Sequence, residues 1–265
     1  MNSDFSIKGT MVDDVFVEYV RDIAPAGRAL VFVHGGCHAG WCWQNYLSYF
    51  ARRGWNCFAL DWYGHGRSRP LAAEALARRS IADVVHEIHR AVELTGTVPI
   101  LVGHSMGALA TQCYAARHEV AGLVMLAPTA PQEVGNADVA IPVDPDTPWG
   151  PPPFEVSKQI FFAGFDEATA RRFNALLGPE SARAILEVTG RAGVPVSAGD
   201  VHAHTTTILV VAAENDVLTP PGVTARVADY YHAEYHLLAG HGHDGLLLGP
   251  HWREAAEIIA AFLER

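Results

Sequence analysis

Short apolar runs alternate with amphipathic stretches along almost the whole of this chain, and that rhythm constrains its fold more than any other feature. "ALVFVHGG" (29–36), "NCFALD" (56–61), "VPILVG" (98–103), "VAGLVMLAP" (120–128), "TTILVVAAEND" (206–216) and "AEYHLLAG" (233–240) read as strands. Continuous apolar runs suit strands buried on both faces, as in a parallel sheet covered by helices. An earlier run, "VFVEYVRDI" (15–23), alternates and predicts a partly exposed strand. "WQNYLSYFARRG" (43–54), "SMGALATQCYAARHE" (105–119) and "REAAEIIAAFLER" (253–265) have helical spacing. "SIADVVHEIHRAVELTG" (80–96) adds Ser80 as an N-cap and Gly96 as a stop. The fold class is α/β: a mostly parallel twisted sheet of about eight strands flanked by helices.

With 265 residues, 49% hydrophobic and 18% charged, the chain can bury one large core or a core with a small lobe. The rhythm breaks between Pro128 and about His204. A Pro-rich loop runs through "IPVDPDTPWGPPP" (141–153), then come three helix-like pieces at 154–165, 166–178 and 179–190, with Asp166 and Pro179 as helix starts. An insert between the sixth and seventh strands predicts a helical cap over the C-terminal edge of the sheet. The expected division is a core of 1–128 and 205–265 and a cap of 129–204.

The formal net charge of −10 argues against a nucleic-acid backbone as partner. No apolar run approaches the roughly 20 residues of a membrane span, and "MNSDFSIKGT" lacks a basic region before an apolar one, so neither a membrane nor a secretory signal is expected. Cys37, Cys42, Cys57 and Cys113 form no CxxC pair and no zinc spacing, which predicts reduced thiols in a cytoplasmic protein. No nicotinamide fingerprint, phosphate loop or metal cluster stands out, so no cofactor and no metal are expected. The partner is a small-molecule substrate, and the chain is expected to be a monomer or homodimer.

Within "LVGHSMGALA" (101–110), Ser105 sits between Gly103 and Gly107, after a strand and before a helix. A G-x-S-x-G turn in that context holds a serine at the tip of a sharp strand-to-helix elbow, where the glycines let backbones approach. The helix start aims its amides at the serine, so the Met106 N–H can serve an oxyanion.

With "HGG" at 34–36, "GHSMG" at 103–107, "END" ending at Asp216 and "GHGH" ending at His243, the chain resembles the α/β-hydrolase fold family with a small helical cap. The resemblance covers nearly the whole chain, and the order Ser, Asp, His is the one this fold uses. It implies Ser105 as nucleophile, His243 as base and Asp216 as the acid that orients it. His241 and Glu214 are the alternatives for base and acid. It also implies Gly36 as the second oxyanion donor, opposite Met106, and His34 as a structural histidine. "HGGCHAGWCW" (34–43) resembles the corresponding loop of plant hydroxynitrile lyases and methylesterases. The lyases use a lysine near the catalytic histidine, and "AGHGHDGLLLG" (239–249) has none, which counts against cyanohydrin cleavage.

Family topology places Cys37, His38, Trp41, Met106, Pro128 and Leu218 around the serine, and the cap adds Trp149, Phe154, Phe161, Phe162 and Phe165. Of these, Cys37, His38, Trp41, Phe161, Phe162 and Leu218 are the expected substrate contacts. Walls of this kind suit a small to medium, uncharged, fairly hydrophobic substrate. The expected activity is carboxylic ester hydrolysis through an acyl-enzyme on Ser105. A lactonase, thioesterase or C–C hydrolase uses the same triad, and a lyase or a low-turnover receptor stands further off.

Overall fold

Strand β3 (Ala29–Val33) shows why the apolar runs are continuous. Leu30 and Phe32 are buried on one face of the sheet and Val31 and Val33 on the other. Both faces are covered, so every residue of the strand must be apolar. The computed structural model describes residues 5–21, 27–137, 139, 141–189 and 193–265. The expected ends of the alternating strand (Asp22 and Ile23) and of the third insert helix (Gly190) lie outside the described residues.

The first half of the chain forms β1 (Lys8–Val12), β2 (Val15–Val20), β3, α1 (Gln44–Ala51), β4 (Asn56–Leu60), α2 (Ala73–Ala77), α3 (Val85–Thr95), β5 (Ile100–His104) and α4 (Met106–Ala115). After β6 (Gly122–Leu126) come α5 (Phe154–Ile160), α6 (Glu167–Asn174), α7 (Ala182–Val188) and α8 (Ala198–His202). The core resumes with β7 (Ile208–Ala213), α9 (Pro221–Tyr230), β8 (Glu234–Leu238) and α10 (Trp252–Leu263). The eight strands lie in the order β1-β2-β4-β3-β5-β6-β7-β8. Only the pairs of β2 with β1 and β4 are antiparallel. Helices α1 and α10 cover one face, and α3, α4 and α9 the other.

The register decides where the site can be. Val33 pairs with Gly103, His104 with Leu126, Leu126 with Val211, and Ala213 with Leu238. The loops that follow β3, β5, β7 and β8 therefore leave the same edge of the sheet, the C-terminal edge where open α/β sheets bind ligands.

The helix limits at Ser80 and Gly96 are as expected. The Ser80 hydroxyl accepts from the Ala82 N–H, Asp83 returns a bond to the Ser80 N–H, and Gly96 is left-handed at φ 66°. Asp166 caps α6 through the Thr169 N–H. Pro179 does not start a helix: Ser181 is the N-cap of α7, its hydroxyl accepting from the Ala184 N–H at 3.2 Å. Strand β1 goes beyond the expected runs. It folds onto β2 through Asp13 and Asp14, both at positive φ, the two-residue hairpin turn that acidic residues tolerate. Helix α8 is a fourth helix in the insert, where three were expected.

Helix α7 docks the insert on the core with buried polar groups. Glu187 accepts from the Ser80 hydroxyl and the Ile81 N–H, and the Ser181 hydroxyl lies against the Ala77 and Arg79 carbonyls. Among the described residues no helix is long and apolar enough to cross a membrane.

Candidate active site

Ser105 joins β5 to α4 with φ 53° and ψ −122°, outside the regions open to ordinary residues. Such a conformation costs on the order of 1–3 kcal/mol, and the surroundings must hold it. Here the Ser105 N–H donates to the Leu126 carbonyl, and the Ser105 carbonyl accepts from the Thr129 and Ala108 N–H groups. The flanking glycines answer to space. A Cβ on Gly103 would lie 2.6 Å from Ala108 Cα, and one on Gly107 would strike the Val33 and His34 carbonyl oxygens. Helix α4 thus lies against β3 and β5 backbone to backbone.

Asp216 and His243 are brought together from the loops after β7 and β8. His243 Nδ1 donates to Asp216 Oδ2 at 2.7 Å, and both residues are buried. Asp216 also accepts from the Leu218 N–H, the Thr219 N–H and the Thr219 hydroxyl, at 2.8, 2.9 and 2.8 Å. Burial pushes the Asp216 carboxyl up, but the imidazole of His243 and these donors outweigh it and hold the acid below its usual range. Burial likewise opposes charge on His243, and the Asp216 carboxylate outweighs it, so the imidazole is held above its ordinary value. The His243 ring lies 4.6 Å from that of His104, the residue before Ser105, tilted 54° to it.

The alternatives are engaged elsewhere. His241 Nδ1 faces the Ala239 carbonyl, and Glu214 accepts from the Gly240 N–H on the surface. His34 accepts from the Trp62 N–H through Nε2, leaving Nδ1 to donate to the Gly35 carbonyl at 2.8 Å. Burial holds its imidazole well below the ordinary range, consistent with a neutral structural ring. His104 is also kept neutral, pushed down to about 3 by burial and by His243.

Neither the Gly36 nor the Met106 N–H donates to a protein acceptor among the described residues. Both residues line a cavity with an empty volume of about 550 Å³, its mouth included, and Ser105 lines it with them. The core also contributes Cys37, Leu218 and Thr219; the insert contributes Thr129, Val139, Ile141, Trp149, Ile160, Phe161, Ile185, Val188 and Thr189. None of these residues is charged. A second apolar hollow adjoins it, sharing Val139, Ile141, Trp149, Ile160 and Leu218 and continuing along Pro151, Pro152 and Pro153.

Of the residues expected to contact substrate, Cys37, Phe161 and Leu218 line this cavity, whereas His38, Trp41 and Phe162 do not. His38 is turned away to Asp244, with Nε2 2.9 Å from Oδ2. Trp41 stacks on Phe173 at 6.0 Å and lines a separate surface hollow. Phe162 is fully buried among Phe165 and Phe173. The aliphatic members Ile160, Ile185 and Val188 were missed because their helical spacing is that of ordinary packing. A distant buried pair was missed too: Glu180, in the insert, bonds His65 of the core at 3.1 Å.

The sequence profile of the Alpha/beta hydrolase family matches residues 30–261. A 112-residue stretch is 32% identical to a rice protein (Oryza sativa subsp. indica) named "Probable esterase PIR7A", covering 40% of each chain. An 86-residue stretch is 34% identical to (E)-2-((N-methylformamido)methylene)succinate hydrolase of Acinetobacter baylyi, covering 32% of this chain and 31% of that one. The chain thus spans less than half the length of either relative. Among solved structures, methylesterase MES16 from Arabidopsis superposes with a TM-score of 0.71 at 16% identity, over 90% of this chain and all of that one. Esterase RhEst1 from a Rhodococcus species does so with a TM-score of 0.71 at 17% identity, over 97% and 98%. The two structural likenesses show a shared fold, and by the profile match over most of its length the chain belongs to the alpha/beta hydrolase family.

Proposed function

We propose that the protein is a serine hydrolase that cleaves a carboxylic ester of a small to medium, uncharged, fairly hydrophobic substrate. The observation that carries this reading is the buried His243–Asp216 pair, whose imidazole lies 4.6 Å from that of His104, the residue before a serine on a strained elbow. Ser105 Oγ attacks the ester carbonyl carbon while His243 Nε2 takes its proton. The carbonyl electron pair moves onto oxygen, where the Gly36 and Met106 N–H groups receive it. His243 then protonates the leaving alcohol, and water deacylates Ser105 by the same path in reverse.

Asp216 holds the imidazole with Nδ1 as donor, which leaves Nε2 free to accept. Thr219 and the Leu218 amide keep the carboxylate in place. Residues 129–204 serve as a cap whose apolar wall excludes water and selects the acyl or alcohol group. The uncharged lining supports a neutral substrate: a dicarboxylate such as the name of the Acinetobacter relative indicates would bury charge without a cationic partner.

Turnover of p-nitrophenyl esters by the purified chain and by Ser105→Ala tests this reading. Hydrolysis by the wild type and none above background by the variant is expected. Equal turnover by both would overturn the assignment.

A further inference from the structure

The loop that carries Gly36 is held by side chains that take no part in the steps above. Gly36 and Gly35 have no side chains to anchor them, and Cys37, next in line, sits at φ 65°, a strained value for a residue with a Cβ. Yet in the two peptide planes around Gly36 every polar group but the Gly36 N–H itself is held by a side chain. In the Gly35–Gly36 plane, the carbonyl accepts from His34 Nδ1. In the Gly36–Cys37 plane, the Gly36 carbonyl accepts from His38 Nδ1 at 2.7 Å, and the Cys37 N–H donates to Glu180 Oε2 at 3.1 Å.

Each of the last two groups is one half of a buried pair. His38 Nε2 donates to Asp244, the residue after His243, and Glu180 accepts from His65 Nε2. All four side chains are nearly or fully excluded from solvent. Each histidine faces a backbone carbonyl through one nitrogen and a carboxylate through the other. The Glu180 end adds a backbone grip, since the Gly178 N–H donates to the Cys37 carbonyl at 2.9 Å. One pair therefore ties the Gly36 loop to the loop of His243, and the other ties it to the insert.

We propose that His38–Asp244 and His65–Glu180 are positioning pairs that fix the Gly36–Cys37 peptide from both sides and, with His34 holding the carbonyl of the adjoining plane that carries the Gly36 N–H, keep that N–H in its oxyanion-binding direction. This inference rests on the serine-hydrolase reading. An oxyanion donor must be aimed at where charge develops, and removal of one such donor costs about 10²–10³ in kcat. A donor that is loosened rather than removed costs less.

Glu180→Gln is the sharpest probe, because Glu180 has no contact with His243. The carboxylate serves three donors: the Cys37 N–H and His65 on Oε2 and the Ser181 N–H on Oε1. An amide must turn its NH₂ toward one of them. The expected result is a kcat lower by about tenfold, with KM within about twofold and the His243 limb of the pH profile unmoved.

A trifluoromethyl ketone reads the oxyanion directly. Ser105 Oγ bonds to the carbonyl carbon, its proton passes to His243, and the carbonyl pair becomes the oxyanion. The preference for this ketone over its methyl analogue should fall by about tenfold in Glu180→Gln and in Asp244→Asn. Unchanged kcat and preference in the folded variants would overturn the inference. If the wild type itself forms no hemiketal, the serine-hydrolase reading has failed instead. Amide hydrogen exchange on the wild type needs no variant: Cys37 should be protected like a core strand, and rapid exchange there would overturn the clamp.

Discussion

The elbow around Ser105 and the insert that supplies much of the cavity wall are built on opposite terms. At the elbow, backbone meets backbone: a Cβ on Gly107 has no space beside the Val33 and His34 carbonyls. In the insert, a Cβ on Gly178 would meet nothing within 4 Å, and the wall is made of uncharged, mostly aliphatic and aromatic side chains that could trade places. The proposed nucleophile thus depends on positions where glycine alone fits. The wall depends on shape and apolarity that many sequences satisfy, so the elbow should be brittle and the wall tunable.

The largest contrast is in turnover. His243→Ala should lower kcat by about 10⁴-fold or more, because only binding and the oxyanion donors remain. His241→Ala should keep a substantial fraction of activity, since its ring faces the Ala239 carbonyl. Steady-state kinetics on the two variants would invert the assignment if the losses came out reversed.

Stability comes next. Gly107→Ala should cost about 3 kcal/mol by forcing α4 off β3, whereas Gly178→Ala should be neutral or stabilising by up to about 1 kcal/mol. Denaturant titration checks both, and an equal cost at the two sites would erase the contrast.

Two neighbouring phenylalanines sharpen it within the insert. Phe161 lines the cavity, so Phe161→Ala should shift the preference between short and long acyl chains several-fold. Phe162 is fully buried away from it, so Phe162→Ala should cost about 3–5 kcal/mol of stability and leave that preference alone. A shift in preference in the second variant would place Phe162 on the wall after all.

The smallest effect is in pH. A protonated imidazole cannot accept the serine proton, so turnover falls as pH drops through the His243 value. Asp216 raises that value over burial, so the decline should begin above the ordinary 6.5 rather than at it. An acid limb centred below 6.5 would mean that burial has won over the carboxylate.

The same division explains what the sequence could disclose. Ser105 with its two glycines and the buried strands carry local signals, because steric limits there act between near neighbours in the chain. Asp216 and His243 were legible by resemblance and by their places after strands. Hairpin strand β1 also carries a local signal, two aspartates between β-branched residues, although its own residues lack the long apolar run of the central strands. The contact of Glu180 with the Gly36 loop joins residues far apart in sequence, and the outward turn of Trp41 depends on Phe173 of α6. Neither leaves a local pattern. Apolar helix faces look alike whether they meet a substrate or another helix, so Phe161 and Phe162 could not be told apart.

The central claim is that Ser105 is the activated nucleophile of this site. Reaction of the native chain with a p-nitrophenyl alkylphosphonate, followed by peptide mapping, tests it most directly. Ser105 is only 8% exposed and opens onto the cavity, so the label should reach it alone and should vanish in His243→Ala. A label on Ser48 or Ser68 with Ser105 unmodified would contradict the account.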